Sequence, residues 1–221
     1  MHTPHLPNLP TSHGSTLPSP WVQRWSHLVP AGGAVLDVAG GYGRHTRWFC
    51  ERNHPVALVD IAQAAIDFVA NLNLAQCETL VADIESGPWP FAQRQFAGVV
   101  VTNYLWRPLL PAIAACVAPG GVLIYETFAA GNETVGKPSR ADFLLQPGEL
   151  LTVCAGLRVV AYEEGFLDCP PRFVQRMAAV RELPAGGQKD AQKDAQKEAQ
   201  KDGQKDGQKE AQTPQPPRYL L

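Results

Sequence analysis

Short continuous apolar runs alternate with stretches of helical spacing along residues 21–181. The runs at 34–38, 56–60, 96–102 and 122–127 are too short for buried helices and lack period-two alternation. They predict strands covered on both faces, as in a parallel sheet. A shorter strand is predicted at 79–82, and two later ones at 157–162 and 173–181. In the last of these Val174, Arg176, Ala178 and Val180 alternate with the residues between them. Helices are predicted over 44–52, 62–74, 108–117 and 147–155. Pro88-Trp89-Pro90 forces a loop, and the polar stretch 129–141 is expected above the sheet's carboxyl edge. Strands alternating with helices predict an α/β fold, a doubly wound, mostly parallel, seven-stranded Rossmann-like sheet with helices on both faces. Ahead of it, Ser19-Pro20 reads as a helix start, with Trp21, Val22, Trp25 and Leu28 at helical spacing. That helix either packs on the domain edge or forms a flap over a ligand.

The stretch from Val35 to Thr46 organises the rest. A buried strand ending in Asp37-Val38 leads into Ala39-Gly40-Gly41-Tyr42-Gly43, and a helix opens at Arg44-His45-Thr46. Glycines there let the backbone turn sharply and approach a ligand, and the free N–H groups of the helix start favour a polar or anionic group. The second strand closes on Asp60, where nucleotide-binding α/β folds place an acid for ribose hydroxyls. Asp37, Asp60, Asp83, Asn103 and Glu126 all fall at or near strand carboxyl ends, the edge where such sheets bind ligands.

Composition narrows the function classes. The 221 residues are 45% hydrophobic with a formal net charge of -2, enough for one well-cored domain and without the basic excess of a nucleic-acid binder. No apolar stretch is long enough to span a membrane, and no membrane partner is expected. Residues 1–18, rich in Pro, His, Ser and Thr without an apolar h-region, read as a disordered leader rather than a secretory signal. Residues 19–183 form the folded domain. Residues 184–221 read as a disordered tail whose Gln-Lys-(Asp/Glu)-(Ala/Gly) repeats hold nothing apolar larger than Ala. Five scattered cysteines without a C-x-x-C pair suggest reduced, mostly buried thiols in a cytoplasmic protein. No grouping has metal-ligand spacing, so no metal is expected.

Taken together, these residues resemble the class I S-adenosyl-L-methionine-dependent methyltransferases over roughly residues 21–181. The family pattern is acid-x-Gly-x-Gly-x-Gly; here Asp37-Val38-Ala39-Gly40-Gly41-Tyr42-Gly43 has Ala39 in place of the first glycine and Gly40 at a variable position. The resemblance implies that Asp60 holds the ribose hydroxyls, with Ile61 beside it, and that Asp83 takes the adenine amino group, with Ile84 beside the ring. It also implies that Asp37, Ala39, Gly40, Gly41, Gly43 and Asn103 bind the cofactor, with the Gly41 and Gly43 backbone against its methionine part, and that Asn103 and Tyr104 line the methyl-transfer site. Pro119-Gly120-Gly121 before the fifth strand is also typical, and residues 173–181 become the antiparallel strand of the fold. Arg44-His45 and Phe143…Pro147-x-Glu149-Leu150 resemble small-molecule methyltransferases, nearest to the tellurite-resistance type and its bacterial relatives.

Several alternatives stay open on residues alone. Gly41-x-Gly43-x-x-Thr46 approximates a dinucleotide fingerprint, but Thr46 and Asp37 count against a dehydrogenase. A non-catalytic cofactor-binding module is the third class. Asn103 either caps the next helix or anchors a polar substrate. Arg44 and His45 either complete the helix start or contact a substrate or carboxylate. Arg107 and Lys137 are candidate substrate contacts, Lys137 also a solvated loop lysine. Glu126 and Glu133 are potential acids or bases with structural readings as strong, and His54 reads as a helix-end surface residue. With no unambiguous general base, the expected acceptor is a soft or already anionic small molecule. RNA or protein is the alternative acceptor, and a monomer or homodimer the expected assembly.

Overall fold

The computed structural model describes residues 17–184; the leader up to residue 16 and the repeat tail lie outside the described residues. The elements are α1 (Pro20–Trp25), β1 (Val35–Val38), α2 (Arg44–Cys50), β2 (Val56–Asp60), α3 (Gln63–Asn71), β3 (Cys77–Val81), β4 (Phe96–Thr102), α4 (Leu110–Ala115), β5 (Val117–Phe128), α5 (Glu149–Val153), β6 (Arg158–Asp168) and β7 (Pro171–Val180). All seven strands join one sheet in the order β3-β2-β1-β4-β5-β7-β6. The pairings are parallel from β3 to β5, and β7 runs antiparallel to both β5 and β6. Strand order reverses between β1 and β4, which opens a crevice at their carboxyl ends.

The apolar runs work as two-faced strands. Leu36, Val38, Val99, Val101, Leu123, Tyr125 and Met177 form one core with Ile113 of α4 and Leu150 of α5. On the other face Val35, Val56, Val100, Val122, Ile124 and Ala178 pack with Trp21 and Trp25 of α1 and Phe49 of α2. Leu58 meets Ile66 and Val69 of α3 on the same side. Full burial of each such aliphatic side chain contributes about 1.5–3 kcal/mol, so these layers dominate the fold's energetics. Packing, not a flap, is the role of α1: Trp21 is buried and its Nε1 donates to the Met177 carbonyl at 3.1 Å.

Four expectations change. Strand β5 begins at Val117 rather than 122, because Val117 pairs with Phe96 and the Pro119-Gly120-Gly121 turn sits inside the strand at a register shift. The stretch expected as one helix over 108–117 breaks into a 3-10 turn, Arg107–Leu109, followed by α4. Strands β6 and β7 are longer than expected and join as a hairpin, paired from Arg158↔Val180 out to Asp168↔Pro171. Their outer pairs satisfy each other across the ladder, a non-local gain invisible to local periodicity. His54 is also not a surface residue: it is buried and its Nδ1 donates to the Gly33 carbonyl at 2.8 Å.

Candidate active site

At the end of β1 the Asp37 carboxylate is buried and accepts from both the Thr46 N–H (3.0 Å) and the Thr46 hydroxyl (2.8 Å). Those bonds tie the start of α2 to the sheet and explain why Thr46 stands where a dinucleotide fingerprint would have a small residue. Burial pushes the Asp37 carboxyl up to about 6, against the lowering effect of the Thr46 bonds and of Arg44. A side chain on Gly40 would put a Cβ 2.8 Å from the Asp37 carboxyl carbon, so glycine there permits the close turn. Gly41 has φ +53° and nothing within 4 Å of where a Cβ would stand; its outer side is open. Ala39, with φ +50°, holds a left-handed conformation that ordinarily favours glycine.

Asp60 closes β2. Its Oδ2 accepts the Gly41 N–H and its Oδ1 the Ala62 N–H, both at 2.8 Å. Next to it Ile61 is 65% exposed, an isolated large apolar side chain at the mouth of the crevice. Beyond β3, exposed Asp83 accepts the Glu85 and Ser86 N–H groups at 3.0 Å, and these bonds hold its carboxyl below the usual range. Ile84 is only 7% exposed and packs into the core, so Ile61, not Ile84, offers the free apolar surface. Carboxylate oxygens, an open glycine turn and an exposed isoleucine along one edge match what an adenosine with an attached amino acid requires.

The other half of the edge was not anticipated as a unit. Thr102, Glu126 and Arg176 stand opposite one another on β4, β5 and β7, and Arg176 opposes Glu163 on β6. Glu126 is fully buried. The Ser19 hydroxyl donates to its Oε1 at 3.0 Å, and Arg172 and Arg176 approach it at 3.4 and 3.5 Å. Arg176 makes its short bonds, 2.6 and 2.8 Å, to Glu163 instead. Arg44 reaches Thr102 Oγ1 at 3.4 Å; burial lowers its pKa, while neighbouring Asp37 and Glu126 support its charge. Arg44 thus lies in the field of two carboxylates while its one bond, a long one, goes to a neutral hydroxyl. Ser19, Arg172 and Arg176 escaped sequence reasoning. The available signal was the spacing of Arg172 and Arg176, which puts both on the face of Ala178 and Val180.

The remaining candidates fall into distinct places. His45 turns inward: it is buried, its Nε2 accepts the Ser19 N–H at 3.1 Å, and burial pushes its pKa down to about 3. It therefore docks α1 and does not line the crevice. Asn103 is exposed with φ +54°, and its N–H donates to the Glu126 carbonyl at 2.9 Å. The 3-10 turn after β4 takes Trp106 as its cap, so the capping alternative for Asn103 is not realised. Tyr104 is half-buried; desolvation and then Glu85 beside it raise its pKa, so it stays protonated, and its carbonyl accepts the Tyr125 hydroxyl. Arg107 is committed to a clamp, to both Glu149 oxygens (2.7 and 2.9 Å) and to the Asp142 and Leu144 carbonyls (both 2.8 Å). It pins the 141–149 loop and is not free for substrate. Lys137 is exposed in the polar segment, which Asn132 ties to β7 through the Phe173 N–H. Glu133 is exposed and accepts the Gly131 N–H. A cavity of about 540 Å³ lined by Pro119, Leu157, Arg158, Arg181 and Glu182 opens at the opposite end of the sheet and shares none of these residues. No group of three or more potential metal ligands occurs among the described residues.

Comparison with known proteins agrees with this geometry. Residues 35–121 match the family described as "Methyltransferase domain". A malonyl-[acyl-carrier protein] O-methyltransferase of Serratia marcescens is 31% identical over 141 residues, 58% of this chain and 54% of that protein. The chain thus spans about half the length of that curated relative. Among solved structures, TehB from Haemophilus influenzae superposes with a TM-score of 0.59 at 21% identity, over 73% of this chain and 61% of that one. The glycopeptide N-methyltransferase MtfA complexed with S-adenosyl-L-homocysteine superposes at 0.51 with 16% identity, over 74% and 88%. Residues 35–121 thus match a methyltransferase domain, and the sheet has the fold of S-adenosyl-L-methionine-dependent methyltransferases.

Proposed function

We propose that this domain transfers a methyl group from S-adenosyl-L-methionine to a small-molecule acceptor by in-line displacement. The observation that carries the reading is the Asp60 carboxylate, oriented by the Gly41 and Ala62 N–H groups beside exposed Ile61. In this reading Asp60 binds the ribose hydroxyls, Asp83 the adenine amino group, and the open side of Gly41 the methionine part. The cofactor, when bound, supplies an already activated sulfonium methyl. The chain's own task is then to align the nucleophile and exclude water. Asn103 and Tyr104, following β4, position the acceptor. Tyr104 is a poor base because its proton is held tightly. Glu126 is a poor one because a serine and arginines already engage it. These restrictions favour an acceptor that is soft or already anionic. The Serratia marcescens relative is named for O-methylation of malonyl-[acyl-carrier protein], which brings an oxygen acceptor within the range of the fold. A cytoplasmic setting suits the free cysteines among the described residues.

The test is S-adenosyl-L-homocysteine release from cofactor on a cell extract divided by ultrafiltration. Turnover on the low-mass filtrate is expected. Turnover confined to the retained fraction would move the acceptor to RNA or protein. Silence from both fractions, with cofactor binding shown by calorimetry, would leave a non-catalytic binding module.

A further inference from the structure

We infer that Arg44 and Arg172 form the seat for an anionic group, a carboxylate or an oxyanion of similar size, on the methyl acceptor. This rests on the methyltransferase reading above and names its substrate class. Three observations carry it. The first is that the two guanidiniums are under-bonded. Arg172 offers Glu126 only a 3.4 Å contact, and its Nε is buried with no hydrogen-bond partner among the described residues. Arg44 has only a 3.4 Å contact to a neutral hydroxyl, Thr102. Charge-assisted bonds of this type ordinarily close to 2.7–2.9 Å, as Arg176 does with Glu163. The second is that the arginines outnumber the carboxylate they share. Arg176 has its short bonds to Glu163 and reaches Glu126 only at 3.5 Å, so Glu126 is left to balance Arg172 and, through its field, Arg44, which Asp37 also influences. The third is place. Antiparallel β7 begins at the edge where the parallel strands end, so Arg172 stands at that carboxyl edge, the same edge on which the Asn103 N–H bonds the Glu126 carbonyl.

Buried ion pairs with poor geometry do little for stability, so packing alone does not account for a cluster this loosely bonded. A planar anion does. It can accept the Arg172 Nε–H on one oxygen and an Arg44 N–H on the other, bridging two planar guanidiniums whose donors point in fixed directions. Glu126 then acts as the resident counter-charge that keeps the arginines in position while the acceptor is away.

Sodium malonate titrated into the full chain saturated with S-adenosyl-L-homocysteine, at ionic strength fixed with chloride, tests this by calorimetry. Saturable binding is expected, weakened at least about tenfold in R172Q, the loss expected of one charge-assisted bond. R172K, which keeps the charge beside Glu126 and safeguards folding, should recover only part of it. R24Q, at the exposed outer end of the cluster, should bind as wild type does. S-adenosyl-L-homocysteine affinity should stay within about twofold throughout, well under the tenfold criterion. Malonate binding that is absent, or indifferent to R172Q and R172K, overturns the inference. A tenfold fall in S-adenosyl-L-homocysteine affinity overturns it differently, because the arginines would then hold the cofactor's own carboxylate. Failure of wild type to bind S-adenosyl-L-homocysteine would sink the methyltransferase reading itself, and the acceptor assignment with it.

Discussion

The two halves of the sheet's carboxyl edge handle negative charge by different means. Over β1 to β3 the carboxylates are met largely by backbone N–H groups: Thr46 for Asp37, Gly41 and Ala62 for Asp60, Glu85 and Ser86 for Asp83. Over β4 to β7 they are met by side chains, with Glu126 and Glu163 facing Arg172 and Arg176. Backbone donors are fixed by the turn that carries them and, at Asp60 and Asp83, leave the outer face of the acid free for a ligand, whereas Asp37 is buried and ties α2 to the sheet. Guanidiniums must be packed into place, so that half is bound up with the stability of the fold. Loss of an acid should therefore harm folding in one half and ligand binding in the other.

The largest effect is expected from Glu126→Ala. It removes the buried carboxylate that Arg172 and Arg176 pair with and whose charge supports Arg44, and breaking a buried pair in this way costs about 3–5 kcal/mol. Urea denaturation should show a midpoint lowered accordingly, with the slope unchanged. A loss under about 1 kcal/mol would mean that the arginines are as well solvated as a surface pair, and the contrast between the halves would fall.

A comparable effect lies in pH. Asp37 is raised from 3.8 to about 6, so the folded chain holds its proton more tightly than the unfolded chain. Its contribution to stability is therefore fullest below pH 4 and is lost as pH rises to 6, by about 3 kcal/mol for a shift of this size. His45 is lowered from 6.5 to about 3, so the unfolded chain takes up the proton first. Its contribution is fullest above pH 6.5 and is lost as pH falls toward 3. The two slopes oppose each other between pH 4 and 6, and wild-type stability should be nearly flat there on their account. His45→Gln should expose the fall with rising pH, and Asp37→Asn the rise. Stability measured by urea melts at pH 4.5 and 6 that moves the same way in both variants would refute the assignment.

Smaller, and confined to the ligand, is Asp60→Ala. Affinity for S-adenosyl-L-homocysteine should fall more than about tenfold, or about 1.4 kcal/mol, as expected when a buried polar partner is removed. The far-ultraviolet circular dichroism should not change, since Gly41 and Ala62 can turn their N–H groups to water. Unchanged affinity by calorimetry would remove the ribose assignment.

Much of the backbone-served half is legible in the chain itself. The apolar run of β1, the glycines after it and the acids closing β2 and β3 lie within a few residues of the turns they serve, so spacing alone locates them. Even Ala39, where the family pattern has glycine, keeps the left-handed turn. The guanidinium half is not legible in this way. Arg172 and Arg176 reach Glu126 across 46 and 50 residues of chain, and Ser19 reaches it across 107. Arg107 reads as a substrate contact in the sequence, but Glu149, 42 residues on, claims it. His45 reads as a helix-start or substrate residue and His54 as a surface one, yet each meets a distant backbone partner that makes burial acceptable.

The sequence by itself determined the layered α/β architecture, the carboxyl edge of the sheet and the acids along it, because burial period and turn chemistry act over a few neighbouring residues. Only the tertiary structure decided where β5 begins, how far the β6–β7 hairpin extends, and which charges meet beneath α1. Those outcomes depend on strand pairing between distant segments, whose entropy of closure is offset only when the whole sheet forms.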